Sequence, residues 1–353
     1  MTIPETMEAV VYRGPRELRL ETVPVPRIGA NELLVRVATC GVCPTDIKKI
    51  HYGTVPPPRV FGHETAGTIV KTGALVRGFR VGERVALHHH VPCLDCHACR
   101  HRAFAQCETY KRTGITAGFE PAGGGYAEYV RVMPFVLPGV VKIPARNSFE
   151  EGALLEPVNT VLKGVERLNL LPGDRVMVTG QGPIGLMFTR LLALRGIRVL
   201  ATDLFENRLK LARRFGAKWV AKPDAVHPLS AIHRQLSSGF DAVIVAVPVD
   251  ALVKQSLELL RGGGQVLLFA HTKRGAETPV DLARICVDEV DLLGSYSADF
   301  TLQKQVARLV FSRQLDVRPL ITHRFPLAET AAAVELASQP TPESLKILVS
   351  QPA

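Results

Sequence analysis

One stretch, Arg175 to Asp203, restricts what this chain can fold into more than any other. It reads Arg175-Val-Met-Val-Thr179, then Gly180-Gln-Gly182-Pro183-Ile184-Gly185, then an apolar-periodic run to Arg195 and Val199-Leu-Ala-Thr-Asp203. The pattern predicts a short β-strand, a glycine turn, a helix of about three turns and a second strand ending on an acid. Each part has a use in holding a dinucleotide. Gly180 permits the tight turn, Gly182 lets backbone approach a pyrophosphate, and Gly185 lets the helix lie close to the strand. The helix N-terminus, opened by Pro183 and Ile184, presents free N–H groups to phosphates. Asp203 stands where a carboxylate can accept hydrogen bonds from a ribose diol. An empty α/β turn is the plainer alternative, but it does not require strand, helix, second strand and terminal acid in register.

The rest of the chain arranges itself around this half. At 353 residues two domains are expected. The first third is rich in turns, with strand-like segments at Glu8–Arg13, Leu18–Glu21, Glu32–Thr39, Thr65–Thr72, Arg84–His88 and Tyr126–Val132. Mostly antiparallel short strands of this kind fit a barrel-like β domain. Glu150–Asn169 reads as helix, kinked or divided at Pro157. Strands and helices then alternate through Gln265–Phe269, the rhythm of a doubly wound parallel sheet. The expected division is 1–155, 156–294 and 295–353, the last returning to the first domain, with a helix over Phe300–Ser312 and a strand over Leu345–Val349.

Composition narrows the class. The formal charge of +10 invites a nucleic-acid partner, yet Lys and Arg are scattered among acids apart from short clusters such as Arg100-His-Arg102. A solvated surface that favours an anionic cofactor accounts for that charge. No apolar run approaches the roughly 20 residues of a membrane span. The start, Met1-Thr-Ile-Pro-Glu-Thr-Met7, lacks basic and apolar signal regions, so a cytoplasmic location is expected. No nucleic acid and no membrane are expected among the partners.

Seven cysteines in such a chain point to metal rather than disulfides. Cys93, Cys96, Cys99 and Cys107 share one short loop. Four thiolates suit zinc and leave no position open for substrate, so this is predicted as a structural site that pins a lobe too polar to fold by burial. His97 and His101 fall within the loop but are surplus to a complete shell. Cys43, in Gly41-Val-Cys43-Pro44-Thr45-Asp46, and His63-Glu64 form a more dispersed pair that means little by itself.

Taken in order, Cys43, Gly62-His63-Glu64, the four-cysteine loop, Leu155-Glu156-Pro157, the glycine turn and Asp203 resemble the zinc-dependent medium-chain dehydrogenases, and among them the polyol (sorbitol) and threonine dehydrogenase branch. Gly124-Gly-Tyr126-Ala-Glu128-Tyr129 and Leu345-Lys346-Ile347 extend the likeness to nearly the whole chain. The resemblance implies a GroES-like β-barrel catalytic domain and a Rossmann domain, two zinc ions per chain, and NAD. It implies that Cys43 and His63 bind a catalytic zinc, with Glu64 and Glu156 each a ligand, an exchangeable ligand or one acting through water. Thr45 would take the alcohol's proton and Asp46 would hold the site from behind. Thr160 would lie near the nicotinamide, with Gly180, Gly182, Pro183, Ile184, Gly185, Asp203, Arg208 and Val247 around the cofactor. Two departures stand out. Pro44 replaces a usual glycine, removing a donor and stiffening the metal loop, and Lys48 stands where a proton-relaying histidine is common.

The implied activity is oxidation of a secondary alcohol (polyol, cyclitol, sugar or amino alcohol) to a ketone with hydride transfer to NAD, by a homotetramer or homodimer. The segment His51–Arg59, the run His88-His-His90 and Tyr296 are candidates for lining the pocket. Two rivals remain at this stage: a redox-sensing NAD- and zinc-binding module without turnover, and a zinc-dependent nucleic-acid-binding protein. Asp203 with Leu204 and Phe205 beside it favours NAD over NADP, unless Arg208 folds back towards the acid.

Overall fold

A computed structural model describes residues 3–88, 91–113, 123–223, 239–270, 275 and 277–351. The chain divides into two units, Met1–Asn159 with Ser297–Ala353, and Thr160–Tyr296. The first division falls a few residues beyond the expected 155/156, inside a helix, because that helix runs unbroken from Leu155 to Glu166.

In the first unit the strands are β1 (Thr6–Gly14), β2 (Glu17–Pro24), β3 (Leu33–Gly41), β4 (Arg59–Val60), β5 (Glu64–Thr72), β6 (Arg84–Ala86), β7 (Tyr129–Val132) and β8 (Val141–Lys142). Two more, β15 (Ile321–Pro326) and β16 (Lys346–Ser350), come from the returning segment. One sheet runs β15-β16-β3-β5-β6-β8, with β7 also pairing β3, and a smaller one runs β2-β1-β4. Every pairing is antiparallel except β15 with β16. Leu33, Val35, Val37, Ile69, Val85 and Val130 fill one side of the larger sheet, with Arg36 and Ala38 more exposed on β3 and Leu34 buried. β16 lies against β3, Leu348 opposite Gly41.

The second unit carries β9 (Arg175–Thr179), β10 (Arg198–Thr202), β11 (Trp219–Ala221), β12 (Phe240–Val245), β13 (Leu260–Leu268) and β14 (Asp291–Gly294). Their order is β11-β10-β9-β12-β13-β14, all parallel, which is the doubly wound arrangement. Val176, Val178, Val199, Ala201, Val243 and Ile244 are fully buried, so the central strands read as apolar runs rather than alternating ones.

The helices that matter here are α1 (Pro44–Tyr52), α2 (His97–Arg100), α3 (Glu108–Thr113), α4 (Phe149–Ala153), α5 (Leu155–Glu166), α6 (Pro183–Leu194) and α7 (Glu206–Arg214). The long helix expected over Glu150–Asn169 breaks at Leu154 and not at Pro157. Pro157 lies in the first turn of α5, where a missing N–H leaves no intrahelical bond unmade. Phe300–Ser312 likewise separates into a 3₁₀ turn, Phe300–Leu302, and a helix, Gln303–Phe311. No helix among the described residues is long and apolar enough to cross a membrane.

Candidate metal centres and dinucleotide site

The four-cysteine loop closes on itself. The sulfurs of Cys93, Cys96, Cys99 and Cys107 all lie within 4.8 Å of one another, with Cys96–Cys99 at 3.4 Å and Cys93–Cys99 at 3.9 Å. A tetrahedral shell with Zn–S near 2.3 Å has an edge of about 3.8 Å, so the four donors suit zinc. The Cys93 N–H donates to the Cys107 sulfur and the Cys96 N–H to the Cys93 sulfur; N–H groups of Asp95 and Cys96 bring the Cys93 thiol pKa down to about 6. Among the described residues the buried cluster at the loop is small, Cys99, Cys107 and Tyr110 with Phe104 packed alongside. A core that small cannot hold a lobe without cross-linking. His97 and His101 are exposed and stack edge-on with ring centroids 4.5 Å apart, outside the sulfur cluster.

The second group assembles from two elements. Cys43 is the residue that caps the N-terminus of α1, while His63 directly precedes β5 and Glu64 opens it. Ligand atoms of Cys43, His63 and Glu64 lie within 4.8 Å of one another. Gly62, with φ +96°, sets His63; a Cβ there would come within 2.7 Å of the Cys40 sulfur and 2.9 Å of the Tyr126 ring. Asp46, fully buried in the first turn of α1, lies 3.0 Å from His63 Nδ1. That bond fixes the ring and leaves Nε2 to ligate. Burial would lower the His63 pKa, but Asp46 and Cys43 outweigh it and raise it well above the usual value. One thiolate, one imidazole and one carboxylate make a set that fits zinc and leaves a position for a fourth donor.

Pro44 is the first residue of α1 rather than part of a stiffened loop, so its missing N–H costs nothing there. Thr45 follows it, half-buried, and Lys48 is half-buried one turn on. Burial lowers the Lys48 pKa against the pull of Cys43. Glu156, in the first turn of α5, is buried and does not join the three clustered donors. Burial pushes its carboxyl up to about 7, with His63, Glu64 and Lys346 all close enough to act on its charge. Thr160 is half-buried one turn further along α5.

In the second unit the three glycines have separable roles. Gly180 has φ +80°, and a Cβ on it would strike Val247 at 2.3 Å. A Cβ on Gly185 would lie 1.8 Å from the Gly180 carbonyl oxygen, so only glycine lets α6 approach β9. A Cβ on Gly182 would meet nothing within 4 Å, leaving open space beside the α6 N-terminus that fits a pyrophosphate. Pro183 and Ile184 open α6. Asp203 accepts the Gln181 N–H at 2.6 Å and the Phe205 N–H at 2.9 Å. Its remaining lone pairs are available to a diol. Arg208 does fold back, its guanidinium 3.9 Å from Asp203 and 4.8 Å above the Phe205 ring.

Comparison with known proteins decides the family. Residues 29–145 match the alcohol dehydrogenase GroES-like domain and residues 183–312 the zinc-binding dehydrogenase domain. A sorbitol dehydrogenase of Bacillus subtilis (strain 168) is 30% identical over 360 residues, covering 99% of this chain and 98% of its own. The chain belongs to the zinc-dependent medium-chain dehydrogenases. Among solved structures, this dehydrogenase is similar to a protein of Sinorhizobium meliloti 1021, assigned as a zinc-binding dehydrogenase and bound to NADP. The two superpose with TM-score 0.88 at 29% identity, over 98% of this chain and 100% of that one. A short chain alcohol dehydrogenase of Escherichia coli CFT073 with NADH gives TM-score 0.87 at 25% identity, over 98% and 100%.

Sequence reasoning missed one residue at the dehydrogenase's candidate metal centre. Lys346, buried on β16, donates to Glu64 Oε1 at 2.6 Å, stands 2.5 Å from Oε2 and donates to the Val42 carbonyl at 2.9 Å. Of the candidate pocket residues, Tyr296 is half-exposed, while His89 and His90 lie outside the described residues.

Proposed function

We propose that this dehydrogenase oxidises a secondary hydroxyl of a polyol to a ketone, reversibly, with NAD as hydride acceptor. The convergence of Cys43, His63 and Glu64 carries the reading, since a thiol, an imidazole and a carboxylate gathered within 4.8 Å of one another form a set suited to zinc. Bound there, zinc supplies Lewis-acid polarisation that makes the alcohol more acidic. Asp46 keeps the His63 ring oriented, and Thr45 takes the alcohol's proton. From Thr45, on the cofactor-ribose side, the proton passes out to water, while Lys48 serves as a fixed positive charge. Lysine's reference pKa of about 10.4 against about 6.5 for histidine makes it a poor relay at neutral pH. The likeness to sorbitol dehydrogenases supports a polyhydric substrate.

Asp203, with its carboxylate oriented by two backbone N–H groups, supports NAD. The return of Arg208 to that carboxylate favours a second reading, in which a 2′-phosphate is tolerated and NADP is also used. Exposed Leu282, Val287 and Leu292, the last on edge strand β14, support assembly into a homodimer or homotetramer. Thiols gathered for metal rather than joined as disulfides support a cytoplasmic location.

A panel of polyols, cyclitols and simple secondary alcohols, each with NAD and with NADP and followed by reduced-cofactor absorbance, tests the proposal. Polyols should be turned over fastest. Tight NAD binding without turnover of any alcohol would favour the redox-sensing alternative.

A further inference from the structure

The pairing of Lys346 with Glu64 is built at some cost to the surrounding chain. Both side chains are buried, Lys346 5% and Glu64 1% exposed. Gly41 stands beside them because a Cβ there would come within 1.8 Å of Glu64 Oε2 and 3.0 Å of Lys346 Cε. A buried ion pair contributes little net stability relative to apolar packing, so stability alone does not account for this one. Its position does. Glu64 is the carboxylate that meets Cys43 and His63, and the ammonium engages both of its oxygens. A carboxylate paired that way is a weaker donor to a second cation, because the ammonium offsets its charge and repels the ion.

We propose that Lys346 is a positioning residue that keeps Glu64 as a reserve ligand, lowering the affinity of the Cys43–His63 centre for zinc and leaving a place in its shell for the alcohol. The inference rests on the reading of Cys43 and His63 as zinc donors with Glu64 within reach of the ion. Without Lys346, Glu64 closes on the ion. The metal is then held more tightly and exchanges its fourth donor more slowly.

The test is a metal-affinity measurement rather than an activity assay. Zinc affinity is read by chelator competition on the full chain with the four-cysteine site kept filled, for the parent, Lys346→Met, Lys346→Arg, Glu64→Gln and the Lys346→Met/Glu64→Gln double variant. Folding is checked by circular dichroism. Lys346→Met should bind zinc at least about tenfold more tightly, a size typical of residues behind a metal ligand. Lys346→Arg should resemble the parent, and in the Glu64→Gln background the Lys346→Met effect should largely vanish. Simple structural damage would weaken binding instead. A folded Lys346→Met protein with parental or weaker affinity overturns the proposal, as does equal tightening in the Glu64→Gln background. If Lys346→Met does not fold, Glu64→Gln decides alone. A reserve ligand predicts a change in affinity of only a few-fold, and a loss of about a hundredfold means Glu64 is resident. Cys43→Ser tests the underlying site separately: unchanged zinc affinity there defeats the site reading itself.

Discussion

Gly182→Ala and Gly185→Ala should have opposite consequences, although both remove a glycine from the same turn. At Gly182 φ is −67° and ψ −174°, which alanine adopts without strain, and the added Cβ meets nothing within 4 Å. Reduced freedom of the unfolded chain favours the variant by about 0.4–1 kcal/mol. Alanine caps a helix less well than glycine, which opposes this by a similar amount. The cofactor-free protein should therefore melt within about 1 kcal/mol of the parent. At Gly185 the Cβ would lie 1.8 Å from a backbone oxygen, so helix and strand must separate. Overpacking of that kind costs about 1–3 kcal/mol or more. Binding should follow the reverse order. The methyl at position 182 fills the space assigned to the pyrophosphate. Loss of one charge-assisted hydrogen bond, about 1.5–3 kcal/mol, weakens NADH binding about 10- to 150-fold. Calorimetric titration with NADH and thermal melts without it measure the two effects separately. A Gly182→Ala protein that binds NADH as tightly as the parent would refute the placement of the nucleotide on this turn.

Three further outcomes are expected. Cys96→Ser should lose zinc from the four-cysteine loop and melt well below the parent, whereas Cys43→Ser should keep zinc in that loop, stay folded and turn over little; metal analysis with melting curves distinguishes them, and a Cys96→Ser protein as stable as the parent would remove the structural site. Glu151 is buried, which would raise its pKa, but Arg313, the Ser148 N–H and Asn147 outweigh burial and hold it below the ordinary 4.5. Its contribution to stability is thus present above the unfolded value and lost as pH falls through the lower folded value, so the melting gap between parent and Glu151→Gln should narrow in acid; a constant gap would contradict this. Lys48→Ala should weaken NAD binding without reshaping the pH profile of alcohol oxidation, and Lys48→His should add an ionisation near neutrality. Loss of turnover in Lys48→Ala at saturating NAD, restored by a small added amine, would make Lys48 the relay itself.

Much of this was legible in the sequence because its signals are local. The turn at Gly180–Gly185 and the cysteines at 93, 96, 99 and 107 each occupy one short stretch, and their spacing alone carries the geometry. Helix α1 is bounded by equally local signals, Pro44 at its first position and Gly53 closing onto Lys49, but they share their residues with the metal motif. The break falls at Leu154 because Pro157, in the first turn of α5, interrupts no intrahelical bond. Arg208 could be named as a candidate, but whether it turned back on Asp203 depended on how it packs against Phe205. The partnership of Lys346 with Glu64 spans 282 residues and leaves no periodic trace, so only the fold reveals it.

That separation has a consequence for how the protein is made. The ribosome synthesises Glu64 282 residues before Lys346. At about 5–20 residues per second, tens of seconds pass between the two. Throughout that interval β3 lacks β16 along one edge, and Glu64 has no ammonium to accompany it into a dry interior. The unit that begins at Thr160 is contiguous and can complete its fold while the earlier one waits. Begun first and finished last, the zinc-binding unit depends on its closing strand, so a nascent chain interrupted before residue 346 would be the form most exposed to aggregation and to proteolysis.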